Sequence, residues 1–261
     1  MANRTPSHVG RVPHVMTTWK RVIVAILLFG ISFGYVEAAV VVYLHSLPSA
    51  SPQREEPFEP IAWMAQFTSS GAGYEDLLRT ELLREAATLI MLAGVALVAA
   101  RNIRQWLAAF VIAFGAWDIS YYAWLKALVD WPRSVFTWDV LFLLPVPWAS
   151  QVLAPLVVSV SMIAAGMILF RRDEDCCALR PGWFHWALIF GGGAVVILSF
   201  TLDFHGLLAG RQPETFRWPL FALGEVAGFS GFLRAVWING RTSQQVESGE
   251  YACETPPPSV A

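Results

Sequence analysis

The chain has 261 residues, of which 56% are hydrophobic and only 15% are charged, and its formal net charge is −2. Soluble domains carry roughly 25% charged residues, so the composition excludes an ordinary soluble protein and indicates a membrane protein. The chain has no excess of Lys and Arg to neutralise phosphates, so no nucleic-acid partner is expected.

Six segments are long and apolar enough to cross a bilayer as helices, which takes about 20 residues each. They lie near 21–46, 81–100, 105–127, 150–170, 183–203 and 217–237. The sequence therefore predicts an all-α polytopic helical bundle with six transmembrane helices over 19–237, whose surroundings are the lipid bilayer. A polar N-terminal tail (1–18) and a polar, disordered C-terminal tail (238–261) flank it. The first span is too long for the apolar core of a cleaved signal peptide.

The Lys and Arg residues of the short connections predict the orientation of the spans. They concentrate on one side of the predicted bundle, whereas the longest connection on the other side, 47–77, is acidic. Both termini are therefore predicted to be cytoplasmic, with the protein in the plasma (inner) membrane. Cys176, Cys177 and Cys253 then face the cytoplasm, where a structural disulfide is not expected.

Two segments between the spans are apolar but too short to cross the bilayer. Residues 58–67 predict a short helix on the outer surface, acting as an interfacial anchor or as a lid. Residues 134–170 are too long for one spanning helix, and Pro145 and Pro147 interrupt them. We therefore predict a separate re-entrant or interfacial helix over 135–144, with the fourth span beginning near Ser150. Irregular backbone at membrane depth has to be buried in protein or line a wet cavity, so this break also indicates a pocket.

Four carboxylates interrupt the apolar spans at a similar depth. Glu37 lies 16 residues after Arg21, and Glu85 lies 16 residues before Arg101, which places both about 24 Å from the cytoplasmic side. Equivalent counts place Asp118 and Glu225 in the same outer half of the bilayer. A carboxylate in hydrocarbon is costly unless it faces a polar interior, so these residues are candidates for one shared pocket. The alternative is that they hold the helices together.

Further polar residues occur at the outer edge of this layer. Glu81 and Glu85 share a helix face, and Arg84 between them is the basic residue available at this depth. We expect Arg84 to pair with Glu37 or Asp118, since a lone guanidinium in the membrane is costly. Acid–base chemistry would use the catalytic candidates Glu37, Glu85, Asp118 and Arg84. The candidates for substrate binding are Glu81, Glu225, Asp139, Trp117, Tyr121 and His205.

The sequence leaves the cofactor unknown. HxxxH, HExxH and ExxH spacings are not found in the spans, and a carboxylate cluster with few histidines would suit Mg²⁺ or Ca²⁺ better than zinc. Trp117, Trp124, Trp131 and Trp138 recur every seven residues, which is typical of an interfacial aromatic belt. The alternative is a stacking wall for a polyprenyl, quinone or other flat or cationic ligand.

Three functions fit these observations. The first is a small membrane enzyme that acts on a lipidic or isoprenoid-like substrate by carboxylate acid–base chemistry. The second is a proton- or solute-coupled carrier, although acids are missing from the cytoplasmic half of the spans and no internal repeat is visible. The third is a non-catalytic subunit or assembly factor of a membrane complex, in which the acids only stabilise helix contacts.

Overall fold

The computed structural model describes residues 18–46, 73–174, 181–209, 211 and 213–247. The helices are α1 (Thr18–Ser46), α2 (Gly73–Ala99), α3 (Ile103–Val129), α4 (Leu153–Glu174), α5 (Trp183–Thr201), α6 (Phe204–Leu208) and α7 (Trp218–Glu247). Two strands, β1 (Trp138–Phe142) and β2 (Trp148–Gln151), lie between α3 and α4. The predicted surface helix over 58–67 and all three cysteines lie outside the described residues.

Six of the helical segments are long and apolar enough to cross a membrane, with mean hydropathies between 1.2 and 2.3. This confirms the prediction of an all-α polytopic helical bundle. The spans begin and end close to the predicted positions because long apolar runs, flanked by charged or turn-forming residues, define them strongly. The protein is therefore of the multi-pass membrane class.

Helix α3 forms the centre of the first four helices. It packs extensively against α1 on one side and α4 on another, and α2 packs against it as well. Glycines make the α1–α3 contact close: a Cβ added at Gly30 would lie 2.9 Å from the carbonyl oxygen of Ala113, and one added at Gly34 would lie 2.8 Å from that of Trp117. Small residues of this kind let membrane helices approach at backbone distance.

Helices α5 and α7 form a second closely packed pair. A Cβ at Gly192 of α5 would lie 2.5 Å from the carbonyl oxygen of Gly224 in α7, so the two backbones touch there. Gly192 is the middle residue of the glycine run 191–193, and its lack of a side chain allows this close packing. A Cβ added at Gly191 or Gly193 would meet no atom of a neighbouring helix within 4 Å, so the packing does not require glycine at these two positions.

The prediction of a helix over 135–144 was wrong. Trp138 pairs with Gln151, Asp139 with Ser150 and Val140 with Ala149 in an antiparallel hairpin, with an irregularity in register before Phe142. The segment is rich in aromatic and β-branched residues, which favour strands, and the two prolines that follow it reverse the chain. Ser150 is therefore part of β2, and the fourth span begins at Leu153.

The last helix extends beyond the apolar span. Helix α7 continues to Glu247, so the described part of the predicted disordered tail is helical. The segment 238–247 contains no proline that would end the helix, and its Arg241, Gln244, Gln245 and Glu247 favour helix, whereas Gly240 disfavours it.

Candidate functional site

Arg84 of α2 is bound by two carboxylates. Its Nε and Nη2 atoms donate to Glu81, at 2.9 and 2.6 Å, and its Nη1 forms an ion pair with Glu37 of α1. Glu81 lies one turn before Arg84 on the same helix face, which allows the paired, bidentate geometry. The expected pairing of Arg84 with Glu37 is confirmed; the alternative partner, Asp118, lies in a different contact. The Arg84 side chain keeps 27% of its surface exposed.

Thr88 completes the binding of Glu37. Its hydroxyl donates to the second oxygen of Glu37 at 2.6 Å and lies 3.0 Å from the carbonyl oxygen of Arg84, one turn earlier. Both oxygens of the Glu37 carboxylate are therefore bound by α2 residues spaced four apart, and the whole residue is 5% exposed.

Glu85 connects α2 to the hairpin. The backbone N–H of Leu143 donates to both oxygens of the Glu85 carboxylate, at 3.0 and 2.9 Å, and the Leu144 amide adds a further hydrogen bond. Leu143 and Leu144 follow β1 directly, where the chain turns and their amides have no strand partner. Glu85 thus satisfies backbone donors that would otherwise be buried without a partner.

Asp118 connects α3 to α4. Its Oδ2 atom accepts a hydrogen bond from the hydroxyl of Ser159 at 2.8 Å, and both residues are buried. At Gly115, one turn before Asp118, an added Cβ would lie 2.6 Å from the carbonyl oxygen of Ser159. The glycine therefore allows the two helices to approach closely enough for this hydrogen bond.

Asp139 of β1 is buried against α3. It accepts a hydrogen bond from the Tyr122 hydroxyl at 2.8 Å and another from the N–H of Val140 at 2.8 Å. Burial raises the pKa of the Asp139 carboxyl to about 7, and the charge of Asp118 adds to this rise. The two hydrogen bonds oppose the rise because they stabilise the ionised form.

Tyr121 joins these groups. Its hydroxyl is close enough to interact electrostatically with Asp139, Arg84, Glu81 and Asp118. Tyr121 therefore lies within electrostatic range of both the ion-paired group at α1 and α2 and the hydrogen-bonded group at α3 and the hairpin. We call this set the polar network: Glu37, Glu81, Arg84, Glu85, Thr88, Asp118, Tyr121, Tyr122, Asp139 and Ser159.

Two residues expected near the carboxylate layer, Glu225 and His205, belong to the C-terminal helices. Glu225 is on α7, and its buried Oε1 has no hydrogen-bond partner among the described residues. Asp203 pairs with Arg217 at 2.6 Å near the start of α6. His205 is exposed and contacts the ring of Phe204. Within the part of the chain that is described, no recorded contact connects Glu225 or His205 to the polar network.

Trp117 lies beside the polar network and is 8% exposed. Its ring contacts Phe114 on the same helix and Phe142 of β1, with centroids 5.3 and 6.1 Å apart. The seven-residue recurrence of tryptophan does not form one helix face, because α3 ends at Val129 and Trp138 belongs to β1.

The residues that sequence reasoning missed are hydroxyl donors. Ser159 and Tyr122 had no distinguishing pattern, since a hydroxyl in a span is common and its partner depends on how the helices are rotated. For Thr88, the spacing of four residues from Arg84 puts both on one helix face, and this spacing was the available signal.

Among the residues that the structure describes, no three His, Cys, Asp or Glu side chains are grouped as metal ligands. Comparison of the sequence with protein-family models and with curated proteins, and of the structure with solved structures, gave no significant match.

Proposed function

We propose that this multi-pass membrane protein is an enzyme that acts on a lipidic substrate by acid–base chemistry in the polar network. In this proposal it resides in the plasma (inner) membrane with both termini in the cytoplasm, as the distribution of Lys and Arg indicates. The polar network then lies in the outer half of the bilayer and its pocket opens outward.

The observation that carries the proposal is that Arg84 uses only some of its N–H donors within the protein. A guanidinium has five N–H donors. Three are directed at Glu81 and Glu37, and the side chain is still 27% exposed. Arg84 is thus held rigidly by two carboxylates while it keeps donors for an oxygen atom of a substrate. A fixed donor of this kind orients and polarises a bound carbonyl or hydroxyl group.

The carboxyl groups around Arg84 have different surroundings, which favours acid–base chemistry. Glu37 is ion-paired, Asp118 accepts from a hydroxyl, and Glu85 is bound by backbone amides. Carboxyls in unlike environments can divide the roles of proton donor and proton acceptor. We propose Glu37 or Asp118 as acid or base, and Glu85 as the residue that positions the hairpin. Glu81, Asp139, Trp117 and Tyr121 would contact the substrate.

A non-catalytic role in a membrane complex is the second candidate. It is favoured by the pairing of the carboxylates: Glu37, Glu85, Asp118 and Asp139 each accept a hydrogen bond from another element. Polar residues satisfied in this way stabilise helix contacts in membranes without any chemistry.

Conversion of lipids by the purified protein distinguishes the two candidates. Membrane lipid extract is incubated with the wild-type protein, with Glu37→Gln and with Glu225→Gln, and the products are compared by mass spectrometry. Glu225→Gln is the matched control, because it makes the same change in a span outside the polar network. We expect the wild type and the control to convert one lipid class and Glu37→Gln to lose at least a factor of about 100, typical of a removed acid or base. Equal product profiles for all three proteins and a protein-free blank would contradict the enzyme proposal.

A further inference from the structure

The packing of α1 on α3 brings their basic N-terminal ends to one level. The two helices run in the same direction, since Gly30 and Gly34 of α1 meet successive turns of α3. Gly34 lies against Trp117, and Arg21 precedes Gly34 by as many residues as Arg104 precedes Trp117. Because both helices rise equally per residue, Arg21 and Arg104 lie at the same level of the bundle.

The C-terminal end of α4 lies at this level as well. The side-chain amide of Asn102, which caps α3, donates to Asp173 of α4 at 2.7 Å. Asn102 is two residues before Arg104, and Asp173 directly follows Arg172. Basic residues of three helices are therefore gathered at one end of the bundle. We call this set the basic end: Lys20, Arg21, Arg104 and Arg172.

The cations of the basic end are not neutralised by carboxylates of the described residues. Arg104 is exposed, and its Nη1 atom lies 3.8 Å from Asp173, which is too long for a hydrogen bond. No ion pair is recorded for the other three members within the described part of the chain. Lys20 lies instead over the ring of Trp19, with 5.6 Å between its Nζ and the centroid.

Basic residues near the opposite end of the bundle have carboxylate partners. Lys126 is bound by Asp130 at 2.7 Å, and Arg217 is bound by Asp203 at 2.6 Å. The basic end therefore differs in leaving its positive charge to external anions. At the end of membrane spans, the anions present at high local concentration are the phosphate groups of acidic lipids.

Apolar surface continues from the basic end along the helices. Val24 and Leu28 follow Arg21 by three and seven residues, which puts them on the same face of α1, and both are exposed. Leu107 follows Arg104 by three residues and is exposed as well. Cations above an apolar stripe match an amphiphile with an anionic head group and acyl chains, whereas a soluble anion would use the cations alone.

We infer that the basic end binds the phosphate group of an anionic phospholipid, whose acyl chains lie along the exposed faces of α1 and α3. Trp19 beside Lys20 agrees with this placement, because tryptophan is enriched at the depth of the lipid head groups. The site is separate from the polar network: Asp118 lies 14 residues beyond Arg104, about 21 Å further along α3. The inference is therefore independent of the proposed function.

Titration of the delipidated protein in a neutral detergent with phosphatidylglycerol tests the inference. Native mass spectrometry counts the bound lipid, and phosphatidylcholine is the zwitterionic comparison. We expect saturable binding of phosphatidylglycerol and much weaker binding of phosphatidylcholine. Arg21→Gln, Arg104→Gln and Arg172→Gln should each weaken phosphatidylglycerol binding by about fivefold, the contribution of one basic residue at an anionic lipid surface.

Arg133→Gln is the matched control, because it makes the same change at an exposed arginine outside the basic end, and it should bind like the wild type. Arg104→Lys keeps the charge and should retain most of the binding. Melting temperatures check that the variants fold, which substitutions at the helix ends should allow. Should one of them not fold, Lys20→Gln tests the same end and should weaken binding similarly.

Glycerol 3-phosphate distinguishes a lipid site from a site for soluble phosphates, since it carries the phosphate group without acyl chains. We expect it to bind far more weakly than phosphatidylglycerol. Three results would each overturn the inference: equal binding of the two lipids, equal losses for Arg133→Gln and the basic-end variants, or binding of glycerol 3-phosphate as tight as that of the lipid.

Discussion

At the scale of single residues, Arg84 is the side chain on which the polar network depends. It connects α1 to α2 through Glu37 and lies within electrostatic reach of Tyr121 on α3. A guanidinium in a span is costly unless it is paired, and the same holds for the carboxylate that it binds. The pairing therefore fixes the relative position of the first helices before any substrate is present.

Removing Arg84 should destabilise the protein through its partner. Arg84→Ala leaves Glu37 buried with Thr88 as its remaining partner. We expect the free energy of unfolding to fall by about 3 kcal/mol, which is the low end for breaking a buried pair because Arg84 is partly exposed. Combining it with Glu37→Gln should recover part of this loss. Thermal unfolding in nanodiscs measures both; strictly additive effects of the two substitutions would show that the pair does not interact.

The raised pKa of Asp139 makes stability depend on pH. The value of about 7 lies above the ordinary 3.8, so the folded protein holds a proton that the unfolded chain releases in this interval. The contribution of Asp139 to the free energy of unfolding is therefore fully present below about pH 4 and is lost as the pH rises to about 7. Tyr122, Tyr121 and Asp118 face the same carboxyl from α3.

Asp139→Asn should reduce this dependence. The quantity to measure is the melting temperature of the wild type minus that of the variant at each pH. We expect this difference to fall by several degrees between about pH 4 and 7. The amide oxygen can accept from the N–H of Val140 while the NH2 group donates to the hydroxyl oxygen of Tyr122, so the variant should fold. A difference between the two proteins that stays constant with pH would mean that Asp139 does not hold the proton in the folded state.

The side-chain pairings of the polar network could be predicted from the sequence only in part. Charge requirements alone indicated that Arg84 binds an acid of another span, and Glu37 is that acid. Depth counting placed Glu225 with the others, but depth says nothing about which way a helix faces, and α7 packs on α5 instead. The hydroxyl partners Ser159 and Tyr122 depend on helix rotation, for which a single sequence contains no direct signal.

At the scale of elements, the spans were predictable and the hairpin was not. A span is defined by about 20 apolar residues regardless of its neighbours. The segment 135–144 is a short apolar run, which periodicity cannot assign to helix or strand. Its fold depends on tertiary contacts: the amides after β1 bind Glu85, and Gln151 of β2 accepts from the indole of Trp218 at 3.0 Å.

The close contact between α1 and α3 gives an element-scale prediction. Gly34→Ala would place a Cβ 2.8 Å from the carbonyl oxygen of Trp117, so the helices must separate, at a cost of about 1–3 kcal/mol. Gly94→Ala in α2 is the control, because no atom lies within 4 Å of its added Cβ and alanine favours helix by up to about 1 kcal/mol. We expect thermal unfolding to show a lower melting temperature for Gly34→Ala only. Equal melting temperatures of the two variants would mean that α1 and α3 lie further apart than described.

At the scale of the whole molecule, the hairpin connects two groups of helices. Helices α1 to α4 surround the polar network, α5 and α7 form a separate pair, and β2 contacts both α4 and α5. The aromatic cluster of Phe200, Phe216 and Phe221 packs against Trp138 and Trp148 of the hairpin. The hairpin therefore contacts both the polar network and the aromatic cluster.

Lipids that copurify with the protein test the central claim, that the polar network is a ligand site and not only a set of helix contacts. The measurement is quantitative mass spectrometry of lipids bound to the wild type, to Arg84→Lys and to Glu225→Gln after identical purification. Lysine keeps the charge of Arg84 but loses its bidentate geometry. We predict that the wild type and Glu225→Gln retain the same lipid class in stoichiometric amount and that Arg84→Lys loses it. Identical lipid profiles for the three folded proteins would contradict the account.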